Sequence, residues 1–101
     1  MAEYILSKKS LDDLRDIWNY TEKTWSETQA DKYYENLVLS FEYIAKHPDS
    51  VGRSYSEIKP EYRGFHCGRH IIFYRILQNG NVRIIRILHE KMDYVRHLPS
   101  N

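Results

Sequence analysis

The sequence predicts an α+β domain in which an N-terminal strand and an α-helical hairpin pack on a small antiparallel sheet. The order is β-α-α-β-β-β with a short C-terminal segment. Three observations carry that expectation. Apolar residues recur at helical spacing through residues 10–47. Asn79-Gly80 lies between two runs rich in Ile, Val, Phe and Tyr, the strongest short-range signal for a β-hairpin. A length of 101 residues suits one domain, 1–101, near the lower end for a self-sufficient core.

The Tyr and Ile content of Glu3–Leu6 suits a short first strand. Ser10 is the expected start of a helix, with Asp13 three residues on in a capping-box-like place. Leu11, Leu14, Ile17, Trp18 and Trp25 follow a helical stripe, leaving Asp12, Asp16 and Glu22 to water. Ser26 and Gln29 form a second capping box and restart the chain as a new helix. Ala30, Tyr33, Tyr34, Leu37, Phe41, Ile44 and Ala45 mark its apolar side. Pro48 ends it, because the ring disfavours helical geometry for the residue before it. Both tryptophans read more readily as core than as interface, Trp18 within the stripe and Trp25 at the helix corner.

Residues 49–60 hold Gly52, Ser54, Ser56 and Pro60 without a sustained period, and read as a loop with one short extended piece around Tyr55–Ile58. Tyr62–Cys67 reads as a strand and Gly68 as a turn. A two-residue type I′ turn at Asn79-Gly80 then fixes the register of the main hairpin. One face pairs Ile76 with Arg83, Tyr74 with Ile85, Ile72 with Ile87 and His70 with His89, and looks like core. The other pairs Leu77 with Val82, Arg75 with Ile84, Phe73 with Arg86 and Ile71 with Leu88. Two arginines among apolar residues make that second face a candidate recognition surface.

Charge is uneven along the chain. Residues 1–50 carry six Lys/Arg against ten Asp/Glu, or −4, and residues 51–101 carry nine against four, or +5, which together give the net +1. An anionic partner on the C-terminal side fits that asymmetry, and plain solvated surface fits it too. Nine tyrosines and two tryptophans suit both a small core and a recognition surface. The single cysteine, Cys67, excludes an internal disulfide and a cysteine-based zinc site, and is expected as a buried or half-buried structural thiol. The sequence carries no signal peptide and no apolar run long enough for a bilayer, so a cytoplasmic protein with no membrane association is expected.

In order and spacing, several segments resemble one family. They are Tyr4-Ile5-Leu6-Ser7, Asp13-Leu14 with Ile17-Trp18, Trp25 before Gln29-Ala30, and His47-Pro48. Gly52-Arg53, Tyr62-Arg63, Gly68 to Arg75 and Arg86 to Asp93 complete the set. The chain resembles the ParE toxins of type II toxin–antitoxin modules, within the RelE/ParE superfamily. The resemblance implies a plasmid-stabilising toxin that binds and inhibits DNA gyrase and is neutralised by a cognate ParD-type antitoxin in a hetero-oligomer. Operator DNA would be met only through the antitoxin complex.

The same superfamily includes RelE-like toxins that cut messenger RNA on the ribosome. That chemistry needs a base for the ribose 2′-OH, a cation for the phosphate and an acid for the leaving oxygen. At the matching places this chain has His70 and Lys91 in place of the expected pair of arginines, and His97 where those relatives have a tyrosine or histidine near the C-terminus. His70, His89, Lys91 and Tyr94 could form an acid–base site on paper. Two histidines are too few for a convincing zinc site, and local sheet-end bonding is the plainer reading. No catalytic residue, cofactor or metal is therefore expected.

Lys91, Met92, Asp93, Tyr94, Arg96 and His97 are the expected target-binding residues, because a charged, apolar-studded chain end is easily presented to a partner. A helical turn burying Val95 and Leu98 is compatible with that role. Phe73, Arg75, Arg86 and Trp25 are the expected antitoxin contacts; for the arginines, pairing with acidic residues of the same chain is the structural alternative. Direct nucleic-acid binding is disfavoured, since the cations are spread over strands and loop rather than along a recognition helix.

Overall fold

The computed structural model describes residues 3–98. The elements run β1 (Tyr4–Leu6), α1 (Lys8–Thr24), α2 (Glu27–Lys46), β2 (Arg53–Ser54), β3 (Arg63–Cys67), β4 (His70–Ile76), β5 (Val82–His89) and α3 (Tyr94–His97). The α+β class and the helical hairpin follow the sequence closely. The sheet is mixed, however, with order β1-β5-β4-β3-β2 and β1 parallel to β5. A parallel neighbour needs a long crossover, and here the helical hairpin and three strands intervene before β5.

Helix α1 is capped by Ser7, three residues before Ser10. Ser7 has extended backbone and accepts a hydrogen bond from Ser10 N–H, while its own hydroxyl donates to Ile85 O at 2.7 Å. The cap therefore fastens the helix start to β5. Ser10 is fully buried inside the first turn, its hydroxyl donating to Ser7 O. Helix α2 begins as expected, with Ser26 Oγ accepting from Gln29 N–H, and stops at His47 before Pro48. In the following loop the extended piece is Arg53–Ser54, and Ser56–Ile58 turns.

The main hairpin departs from the expected turn. Gly80 N–H donates to Leu77 O and Leu77 N–H to Asn81 O; only Gly80 has positive φ, at 87°. The loop holds one residue more than a type I′ turn, as in a four-residue turn closed by a left-handed glycine. Tyr74 consequently faces Ile84, Arg75 faces Arg83 and Ile76 faces Val82, whereas Phe73 still faces Arg86 and His70 faces His89. A bulge between Phe73 and Tyr74 absorbs the shift, leaving Ile85 as the extra residue.

That bulge puts a core on each side of the sheet. Leu14, Leu37, Phe41, Ile44, Ile72, Tyr74, Val82, Ile84 and Ile87 pack between helices and sheet. Ile71, Phe73, Ile85 and Leu88 pack on the back under Tyr55, Tyr62 and Leu98. Strands buried on both faces read as near-continuous apolar runs, which explains Ile71-Ile72-Phe73-Tyr74 and Ile84-Ile85. The back face expected to meet a partner is thus mostly a second core.

Candidate functional site

Between the helical hairpin and the His70–His89 end of the sheet lies an open groove of about 960 Å³. Ile17, Tyr20 and Thr21 of α1 form one wall with Trp25, Gln29, Lys32 and Tyr33 from the corner and α2. Arg69, His70, His89, Met92 and His97 line the other. The mouth is aromatic: Tyr20 is 68% exposed and Trp25 73%. Trp25 closes α1 at its C-cap, where its N–H donates to Thr21 O, and its ring is left outward instead of in the core. Trp18 is half-buried, its indole N–H donating to Asp31 at 3.0 Å.

The groove floor is held by Tyr33 of α2. Its hydroxyl accepts from Arg69 N–H at 3.0 Å, contacts Cys67 O at 3.1 Å and lies 2.6 Å from His70 Nδ1. Gly68 makes this approach possible: it turns the chain at φ 58°, and a Cβ there would strike the Tyr33 ring. Burial, with repulsion from His89, lowers the His70 pKa from 6.5 to about 4. His70 is therefore neutral at pH 7. His89 stands edge-on to it, ring centroids 5.4 Å apart, and its Nδ1 accepts from Lys91 N–H. Each histidine thus spends a ring nitrogen on local structure, the sheet-end role that the sequence suggested as the plainer one.

Arg86 is the keystone of the far wall. Its Nε and Nη2 grip both carboxylate oxygens of Asp13 at 2.7 and 2.8 Å, and its Nη1 donates to His97 O at 3.0 Å. Asp13 also accepts from Ile87 N–H at 3.0 Å. One guanidinium therefore joins α1, β5 and the segment after β5. Among the expected antitoxin contacts, Arg86 is committed to this intramolecular clamp and Phe73 is fully buried. Neither is presented to a partner in this fold. Arg75 is half-exposed and Trp25 remains open.

Beyond β5 the chain turns through Glu90–Met92 and enters α3. Lys91, Met92, Asp93, Arg96 and His97 are exposed along this segment. Tyr94 is half-buried, its ring 5.3 Å from Phe73 and 5.7 Å from Tyr55, and Leu98 is buried. Val95 is 64% exposed, so Tyr94 rather than Val95 accompanies Leu98 inward. Sequence reasoning missed Tyr33, Arg69 and Asp13 as determinants of the groove. For Tyr33 and Arg69, the available signal was Gly68, whose side-chain-free turn admits a close neighbour.

Chemically the groove suits binding better than acid–base catalysis. Its deepest histidine resists protonation, and Arg86 of its far wall is already neutralised by Asp13. No group of three or more His, Cys, Asp or Glu able to hold a metal occurs among the described residues. No helix there is long and apolar enough to cross a membrane.

Residues 4–94 match the family described as the ParE toxin of the type II toxin–antitoxin system. The chain is 39% identical over 98 residues to Toxin ParE1 of Caulobacter vibrioides, covering 97% of this chain and 99% of that one. It is 35% identical over 97 residues to Toxin ParE1 of Mycobacterium tuberculosis, covering 96% and 98% respectively. In three dimensions it resembles the chromosomal ParDE system from P. aeruginosa, with a TM-score of 0.75 at 17% identity over 88% of this chain and 96% of that one. It also resembles the toxin–antitoxin complex RelBE2 from Mycobacterium tuberculosis, with a TM-score of 0.68 at 16% identity over 87% and 96%. At these identities the structures speak for the fold alone.

Proposed function

The chain belongs to the ParE toxin family of type II toxin–antitoxin systems, and we propose that it is a non-enzymatic, cytoplasmic toxin that binds DNA gyrase and is neutralised by a ParD-type antitoxin. The supporting observation is the groove with its adjoining tail: aromatic and charged groups face outward while both histidines are tied to local structure. The exposed Lys91, Met92, Asp93, Arg96 and His97 are the target-contact residues, with the accessible part of Tyr94 beside them. Trp25 is an antitoxin anchor at the groove mouth, since a large exposed ring buries much area on docking. Operator DNA is met through the antitoxin complex.

The alternative, ribosome-dependent cleavage of messenger RNA, requires a base, an acid and a free phosphate-binding cation. Gyrase supercoiling and in vitro translation assays on the same preparation distinguish the two. The expected result is loss of supercoiling with translation intact, and at least a tenfold weaker effect for the combined Lys91→Ala, Met92→Ala, Arg96→Ala variant. Cleavage of ribosome-bound messenger RNA with supercoiling unaffected would overturn the proposal.

A further inference from the structure

The back of the sheet carries a second charged feature, remote from the groove. Arg75 on β4 and Arg83 on β5 stand directly opposite each other. Each lies between residues that point toward the helices: Tyr74 beside Arg75, and Val82 and Ile84 beside Arg83. Strand alternation therefore raises both guanidiniums from the same face, the one turned away from the α1–α2 hairpin. Directly opposed like charges destabilise a sheet. Among the described residues no carboxylate forms an ion pair with either one. Glu3, at the start of the neighbouring edge, is engaged through its backbone with Asn81 and Val82.

The surroundings narrow the occupant. On the β1 side Arg83 stands beside Ile5, which is 46% exposed. On the β3 side the Arg75 charge acts on the hydroxyl of buried Tyr62, whose ring also meets the Lys59 ammonium, itself paired with Glu61. The pair is thus flanked by Ile5 on one side and by Tyr62 with a lysine already matched to Glu61 on the other, rather than continued as a stripe of unpaired cations, and the chain's net charge is only +1. A nucleic acid would need cations tracking its backbone over several phosphates. Two guanidiniums one strand apart, next to an apolar step, suit carboxylates forked from both sides with an apolar side chain seated on Ile5.

We propose that Arg75, Arg83 and Ile5 form a docking site for an acidic segment of the antitoxin, on the face opposite the groove. This rests on the toxin–antitoxin reading above. It extends the expected role of Arg75 to a composite site in which Arg83 is the more exposed partner. The unfavourable Arg–Arg pairing is relieved when the carboxylates bind, so the site contributes affinity through a cost that the free toxin carries.

The test uses the purified full chain with its full-length antitoxin, comparing wild type, Arg75→Gln, Arg83→Gln and the double variant. Affinity is measured at two salt concentrations, and the melting temperature of each free toxin is recorded. At least a tenfold weaker affinity and a shallower salt dependence are expected for the double variant, with its melting temperature unchanged or raised. A fall in melting temperature parallel to the lost affinity would make the arginines structural and overturn the proposal. Unchanged affinity would overturn it while leaving the toxin reading intact, as would a loss confined to operator DNA binding by the complex. A wild-type chain that bound no antitoxin would overturn both.

Discussion

His70 shows how a side chain suited to catalysis becomes structural. Tyr33 occupies its Nδ1 and His89 crowds its other side, with Asp13 and Glu90 only partly offsetting the burial that disfavours its charged form. An unfolded chain takes up this proton near pH 6.5, whereas the folded protein resists it until about pH 4. The unfolded state therefore binds more protons between these values, and stability falls as pH drops through that window. Solvent reaches part of the ring, which limits the effect to about 1–2 kcal/mol. Glu90, held below its usual range chiefly by the hydrogen bond from His66, adds its own loss only at lower pH. Urea midpoints at pH 7 and pH 4.5 should converge for His70→Gln and diverge for wild type; equal acid sensitivity would refute this account. Arg86 teaches a similar lesson about reading single residues. The sequence left it between a partner's carboxylate and one of its own, and Asp13, 73 positions away, takes it. Removing either member would strand a largely buried charge, a costly change.

At the scale of elements, β5 and its tail carry most of the fold's specificity. The bulge at Ile85 allows Ile84 to enter the helix-side core and Ile85 the back core, which uniform pairing would not permit. Short helix α3 is too brief to be stable alone, and it is held by Tyr94, Leu98 and the Arg86–His97 hydrogen bond. Truncation after Glu90 should therefore cost about 3–5 kcal/mol, because it uncovers Phe73 and Leu88 and removes that bond. The combined Lys91→Ala, Met92→Ala, Arg96→Ala variant alters exposed side chains and should stay within about 1 kcal/mol of wild type. Denaturant titration of the two separates a folding role from a binding role; a truncated chain as stable as the intact one would contradict this packing. The helix boundaries were legible where a cap and a proline coincide, as at Ser26 and Pro48. The α1 start was not, since the turn out of β1 selected Ser7 over the equally suitable Ser10.

Across the whole molecule the groove and the back-face arginines lie on opposite sides of one mixed sheet, so an antitoxin engaging both must wrap the domain. Any partner that binds only the folded toxin stabilises it by mass action, by about 2.7 kcal/mol at a free concentration a hundredfold above Kd. The melting temperature of the toxin should accordingly rise with antitoxin concentration beyond equivalence, and a constant value would argue against binding to the native state. Sequence by itself determined the α+β class, the helical hairpin and the family. These depend on local periodicity, turn residues and the order of segments, all of which are written along the chain. Tertiary structure alone decided the parallel β1, the bulge, the burial of Phe73 and the capture of Arg86 by Asp13. Each joins residues distant in sequence, and a one-residue shift in a hairpin changes which face every later side chain meets.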